Sequence, residues 1–142
     1  MKPFQINFLD HVAIKVRDIN VSIEWYERVL GLKRCILPEW GNYPVLMLAG
    51  KTGVAIFPLK LSEVSSIKNI EVKIDHFAFN VTNEDFDEAK QHYQKIGQEF
   101  EFQDHFYFHS IYTSDPDGHT VELTTLAVDE NSFYKLNYIV GK

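Results

Sequence analysis

Two short phrases carry residues able to bind a metal: "LDHVAIKV" (Leu9 to Val16) and "IDHFAFNV" (Ile74 to Val81) each place a histidine after an aspartate, followed by alternating apolar residues. Asp10 and His11 map onto Asp75 and His76 at a shift of 65 positions, and the same shift carries Gly53 onto Gly118 and Phe57 onto Glu122. If two repeated modules pack about a dyad, His11, Phe57, His76 and Glu122 converge, and three of these four can ligate a metal. Two histidines and one carboxylate form a facial set compatible with Fe(II), and also with Mn(II) or a catalytic Zn(II). Such a centre with open positions can chelate adjacent substrate oxygens and act as a Lewis acid, or bring O₂ and substrate together if it holds Fe(II).

The elements that must hold these residues are legible from periodicity. Val12, Ile14 and Val16 share one face of a strand and His11, Ala13 and Lys15 the other, so His11 points away from the apolar stripe. "RDINVSIEWYERVLGL" then puts Ile19, Ile23, Tyr26 and Leu30 at helical spacing, with Asp18 or Asn20 as cap and Gly31 as stop. Short strand-like runs follow, "KRCILP", "PVLMLAG" and "GVAIFPL", separated by Gly, Pro and Asn. This predicts a βαβββ module over about 8–60. After the polar connection "KLSEVSSIKNIEV" (Lys60 to Val72) the order repeats over about 73–126. There "IDHFAFNV" is the strand and "TNEDFDEAKQHYQKIG" the capped helix, with Phe86, Ala89, Tyr93 and Ile96 on one face. "EFEF", "FHSIYTSD" and "HTVELTT" are the remaining strands. By parity, His76 lies with Ala78 and Asn80, and Glu122 with Thr120 and Thr124, so all three candidate ligands sit on the less apolar faces.

Composition excludes several classes. The chain has 142 residues, 45% hydrophobic and 14% aromatic, which predicts one compact α+β domain over 1–142 with a tail over 127–142. No apolar run approaches the ~20 residues of a membrane span. The start "MKPFQINFLDHV" has no apolar segment of a secretory signal, so a cytoplasmic location is expected. A formal charge of -6 with scattered Lys and Arg argues against a nucleic-acid partner. The single cysteine, Cys35, has no second thiol to pair with and reads as a small buried hydrophobe.

At this point the chain resembles the vicinal oxygen chelate superfamily: glyoxalase I, extradiol ring-cleavage dioxygenases, fosfomycin-modifying thiol transferases and bleomycin-sequestering proteins. The carriers are "LDHVAIKVRDINVSIEWYERVLGLKR", "IDHFAFNV" and "SIYTSDPDGHTVELTT", over roughly Phe8 to Leu126. The resemblance implies a glyoxalase-like fold, two pseudo-symmetric βαβββ modules curling a mixed sheet around a divalent ion, often in a homodimer. Carried over by position, the ligands are His11, His76 and Glu122. The fourth ligand usual in glyoxalase I falls here on Phe57, whose phenyl ring cannot donate to a metal.

The stretch "DHFYFHSIYTSDPDGHTVE" resembles the signature segment of the extradiol enzymes. On that resemblance Tyr112 hydrogen-bonds the substrate oxygen and His105 orients substrate or oxygen species. Polar contacts from Ser110 and Tyr112, as in the fosfomycin enzymes, are equally open. Those enzymes hold a phosphonate with basic residues, and "EFEFQDHFYFHS" has no Lys or Arg, while Lys135 and Lys142 alone follow Glu122. Trp40, Tyr43, Met47, Phe57, Phe106 and Phe108 read equally as core or as walls of an aromatic substrate pocket. His92, His109 and His119 read as surface, contact and turn residues.

The sequence therefore points to a metal-dependent enzyme acting on a small molecule. Ring-cleaving dioxygenase chemistry with Fe(II) stands first, and Mn(II), Zn(II) or Ni(II) are the other candidate metals. Glyoxalase I-like isomerase or thiol-transferase chemistry is the alternative. A non-catalytic drug- or metabolite-binding protein is a further one, against which the complete ligand set argues.

Overall fold

The structure, a computed structural model, describes residues 7–60, 74–131 and 133. The predicted connection over 61–72 and the predicted tail beyond 133 lie outside the described residues. Chain contacts divide the protein into two compact units, Met1–Lys73 and Ile74–Lys142.

Unit 1 runs β1 (His11–Val16), α1 (Ile19–Leu30), β2 (Lys33–Cys35), a 3₁₀ turn (Pro38–Trp40), β3 (Val45–Ala49) and β4 (Thr52–Pro58). The sheet order is β1-β4-β3-β2, with β1 and β4 parallel and the other pairs antiparallel. The parallel pair forms because α1 carries the chain back across the sheet, the crossover that parallel neighbours require. Asp18 caps α1 by accepting from the backbone N–H groups of Asn20 and Val21, and Gly31 ends it at φ 67°, where a Cβ would be strained. The helix buries Ile23, Trp25, Tyr26 and Val29, and the sheet buries Ile14, Val16, Met47, Val54 and Ile56. Burying each large apolar side chain contributes about 1.5–3 kcal/mol, which this face concentrates into one core.

Unit 2 repeats the plan: β5 (His76–Asn80), α2 (Asn83–Ile96), β6 (Glu101–Asp104), β7 (Phe108–Ser114) and β8 (Thr120–Leu126), in sheet order β5-β8-β7-β6. Thr82 caps α2 through Asp85 N, and Gly97 ends it at φ 72°. Phe86, Tyr93, Ile111 and Val121 form the core. The Thr125 hydroxyl donates to Asn83 Oδ1 at 2.8 Å and ties β8 to the start of the helix. Each unit is thus the predicted βαβββ module.

Two expectations change. Cys35 is half-buried at the end of β2, the sheet's edge strand, rather than enclosed. Met47 is fully buried on the helix-facing side of β3, so it is core and not a pocket wall.

Candidate metal centre

In unit 2 the strand register decides which side chains share a face. His76 pairs with Thr120 and Ala78 with Glu122 across the parallel β5–β8 pair, and Glu122 pairs with Tyr112 across β7–β8. Glu101 and Gln103 on β6 pair with Tyr112 and Ser110, so they complete that face. The opposite face carries Phe77, Phe79, Ile111, Val121 and Leu123. The face away from α2 is therefore polar while the other feeds the core.

His76 and Glu122 are brought together, with His76 Nε2 3.1 Å from Glu122 Oε2. Glu122 is 7% exposed, unusual for a carboxylate without partners, and the imidazole supplies one. The chain enters β8 through a turn organised by the buried Asp115. Its Oδ1 accepts from the backbone N–H of Asp117 at 2.9 Å and of His119 at 2.8 Å, and its Oδ2 accepts from His119 Nδ1 at 2.7 Å. His119 is therefore a turn residue, as its spacing suggested. Gly118, at φ 88°, supplies the left-handed position in that turn.

His105 and Tyr112 also meet: His105 Nε2 lies 2.9 Å from the Tyr112 hydroxyl. Glu122 and Ser110 also act on that hydroxyl. Burial, then the Glu122 carboxylate, holds the phenol's ionisation above its ordinary value, so Tyr112 stays protonated at neutral pH. Ser110 is fully buried and shares a 3.0 Å hydrogen bond with Thr124. The hairpin tip behind His105 is tight. Tyr107 N bonds His105 O at 2.8 Å, Asp104 Oδ1 accepts from Phe106 N at 2.9 Å, and Phe106 adopts φ 70°. Phe106 is 74% exposed at that tip, and the Phe108 ring packs edge-on against Phe133 at 5.2 Å.

A cavity of about 610 Å³ opens beside this arrangement, lined by Asp75, His76, Glu101, Gln103 and Tyr112 among others. Among the described residues, no Lys or Arg lines it.

In unit 1, His11 begins β1 and shares its face with Ala13, Lys15, Gly53, Ala55 and Phe57. The register corrects one equivalence. His11 pairs with Gly53 and His76 with Thr120, so the unit 1 counterpart of Glu122 is Ala55, and Phe57 corresponds to Thr124. A constant shift fails because Gly53 lies 42 positions after its partner His11 whereas Thr120 lies 44 after its partner His76. Neither Ala55 nor Phe57 offers a donor atom. Trp40 ends the 3₁₀ turn, half-exposed, and Phe57 is 36% exposed.

Both histidines have the same local geometry, which the sequence showed only as a repeated Asp-His pair. Asp10 Oδ2 lies 2.8 Å from His11 Nδ1, and Asp75 Oδ2 lies 2.8 Å from His76 Nδ1. With Nδ1 held by the aspartate, Nε2 is the nitrogen turned toward other partners, and in His76 it faces Glu122; ligating histidines are usually held in this way. Imidazole and carboxylate are donor types that a divalent ion takes, and among the described residues no group of three or more His, Cys, Asp or Glu is gathered for one.

The Asp75 hydrogen bond raises the His76 pKa from 6.5; partial burial opposes the shift and Glu122 adds to it. A raised folded-state value means that protonated His76 stabilises the metal-free fold below about pH 6.5 and that this contribution is lost as pH rises through the raised value. The melting-temperature advantage of metal-free wild type over His76→Gln is therefore expected to shrink as pH rises above about 6.5. A constant difference would refute the linkage.

Residues 8–123 match the Glyoxalase/Bleomycin resistance protein/Dioxygenase superfamily, and the chain belongs to that family. A metallothiol transferase FosB of Bacillus licheniformis is 33% identical over 137 residues, covering 91% of this chain and 82% of the relative. A glutathione transferase FosA of Serratia marcescens is 29% identical over 116 residues, 81% of this chain and 78% of that one. Among solved structures, the fosfomycin resistance protein FosX of Mesorhizobium loti aligns with TM-score 0.62 at 25% identity, over 92% of this chain and 99% of that one. Among the described residues, no helix is long and apolar enough to cross a membrane.

Proposed function

We propose that this protein is a metal-dependent transferase that adds a small-molecule thiol to a small electrophile, with His11, His76 and Glu122 holding the divalent ion. The observation that carries the reading is the His76–Glu122 pair beside a protonated Tyr112, in a chain related along nine-tenths of its length to metallothiol transferases. These relatives favour thiol transfer over the ring-cleaving dioxygenase that the His105–Tyr112 spacing first suggested.

The bound ion would supply Lewis acidity toward the electrophile's oxygen. Tyr112 hydrogen-bonds that oxygen, and Ser110 and Thr124 keep the adjoining wall polar. Trp40, Phe57 and Phe108 contribute apolar contact to the substrate, and His105 holds Tyr112. For an epoxide, a sulfur–carbon bond forms as a carbon–oxygen bond opens, and the thiol proton ends on that oxygen. No redox partner is needed. The protein works in the cytoplasm as a homodimer.

Charge narrows the electrophile. Residues 74–142 carry thirteen Asp and Glu against four Lys and Arg, and Asp75, Glu99 and Glu101 line the cavity. This field disfavours a multiply charged anion. Metal-loaded protein incubated with cysteine or glutathione and a panel of epoxides is expected to form thioethers, faster with neutral than with phosphonate-bearing epoxides, as read by mass spectrometry. Catechol-dependent O₂ uptake with no thioether would restore the dioxygenase reading.

A further inference from the structure

We propose that Asp10 and Asp75 are positioning residues that fix His11 and His76 in the Nδ1–H form and aim Nε2 at the metal. This rests on the ligand set proposed above.

Asp10 and Asp75 each stand one residue before a strand. The geometry gives them a second role. In each copy one carboxylate oxygen lies 2.8 Å from Nδ1 of the following histidine. A carboxylate only accepts, and a neutral imidazole has one N–H and one lone pair, so Nδ1 must carry the proton and Nε2 the lone pair. In unit 2 that Nε2 lies 3.1 Å from Glu122, which in the metal-free protein competes for the ring proton at longer range than Asp75 and which a metal would separate from the ring. The contact thus orients the very nitrogen that a metal would use.

Stability does not account for these contacts. The Asp10 and Asp75 side chains are 78% and 89% exposed, and exposed ion pairs contribute little to folding. The contact is made twice, in two separate units, on the same ring atom and at the same distance. In unit 1 the backbone at Asp10 is itself anchored, since its carbonyl accepts from Gly53 N at 3.3 Å and the neighbouring Leu9 carbonyl accepts from the Thr52 hydroxyl at 2.8 Å. What each carboxylate gains is a fixed tautomer, a fixed ring rotation about the broad terminal torsion, and a more basic donor nitrogen.

Four full-length variants test this: Asp10→Ala, Asp10→Asn, Asp75→Ala and Asp75→Asn. In metal-free protein, at a pH where both rings are neutral, imidazole ¹⁵N NMR should show His11 and His76 as Nδ1–H in wild type. The adjacent ring should move toward Nε2–H in each alanine variant. Competition with a chelator should show Zn(II) or Mn(II) bound about 10–100-fold more weakly by the alanine variants. The asparagine variants should recover most of that loss, because the amide oxygen still accepts from Nδ1–H. Nε2–H tautomers in wild type would overturn the proposal, as would alanine variants with wild-type affinity, or asparagine and alanine variants losing affinity equally. The NMR arm needs no metal: Nδ1–H rings in a protein that binds no metal would sustain the tautomer assignment and sink the metal-dependent reading alone.

Discussion

Replacing His76 with alanine is expected to abolish stoichiometric binding of a divalent ion while leaving unit 2 folded. The expectation follows from where His76 sits. Its ring is 37% exposed at the start of β5, so truncation removes little from the core, which is built from Phe86, Tyr93, Ile111 and Val121 on the other face of the sheet. The backbone register with Thr120 does not depend on the side chain. The cost falls on Glu122, whose side chain is 9% exposed and loses its imidazole partner while keeping the Tyr112 hydroxyl. A buried acceptor that loses one of its partners costs about 1–3 kcal/mol, which shifts the melting temperature without unfolding a domain of this size. For the metal the loss is larger in kind, because a three-donor set reduced to two no longer holds the ion against water and chelators. Elemental analysis of protein purified without chelator or immobilised nickel, paired with circular dichroism, reads both effects. Unchanged metal content in a folded variant would remove His76 from the centre.

The features visible in the sequence and those that were not differ by physical origin. Strand parity was legible because burial selects one face: Ile14 and Val16 are buried while His11, Ala13 and Lys15 are exposed. Helix ends were legible because capping demands particular residues, and Asp18, Thr82, Gly31 and Gly97 occupy those positions. Register was not legible. Two more residues between His76 and its partner on β8 than between His11 and its partner on β4 move the counterpart of Glu122 from Phe57 to Ala55, and no residue type marks where they are inserted. The hairpin tip at His105 was hidden for a related reason. Its left-handed residue is Phe106, where sequence rules expect Gly or Asn, so no turn signal announced the bend that brings His105 to Tyr112. The Asp-His repeat was visible as a pattern, but which ring nitrogen each carboxylate holds depends on side-chain geometry.

Tyr112→Phe is expected to lower kcat for thiol transfer by about 10²-fold while sparing metal content and fold; the magnitude is that of losing one hydrogen-bond donor aimed at a developing oxyanion. The substitution removes one oxygen atom and keeps the ring, so the edge-on contact with His76, at 5.8 Å between centroids, is retained. What disappears is the hydroxyl that bonds His105 and lies under the influence of Glu122. In wild type the phenol keeps its proton because burial and the Glu122 carboxylate both disfavour the phenolate, so at neutral pH it acts as a donor rather than a base. A donor held beside the carboxylate proposed as a metal ligand can follow the substrate oxygen as charge develops on it. Metal affinity need not change, since Glu122 keeps both oxygens and its contact with His76. Steady-state kinetics on the metal-loaded variant, with metal content measured on the same sample, separates the possibilities. A fall in kcat at full metal content places Tyr112 at the reacting oxygen, and unaltered kcat removes it from the chemistry. Loss of metal in step with activity would make the hydroxyl a support for Glu122 instead.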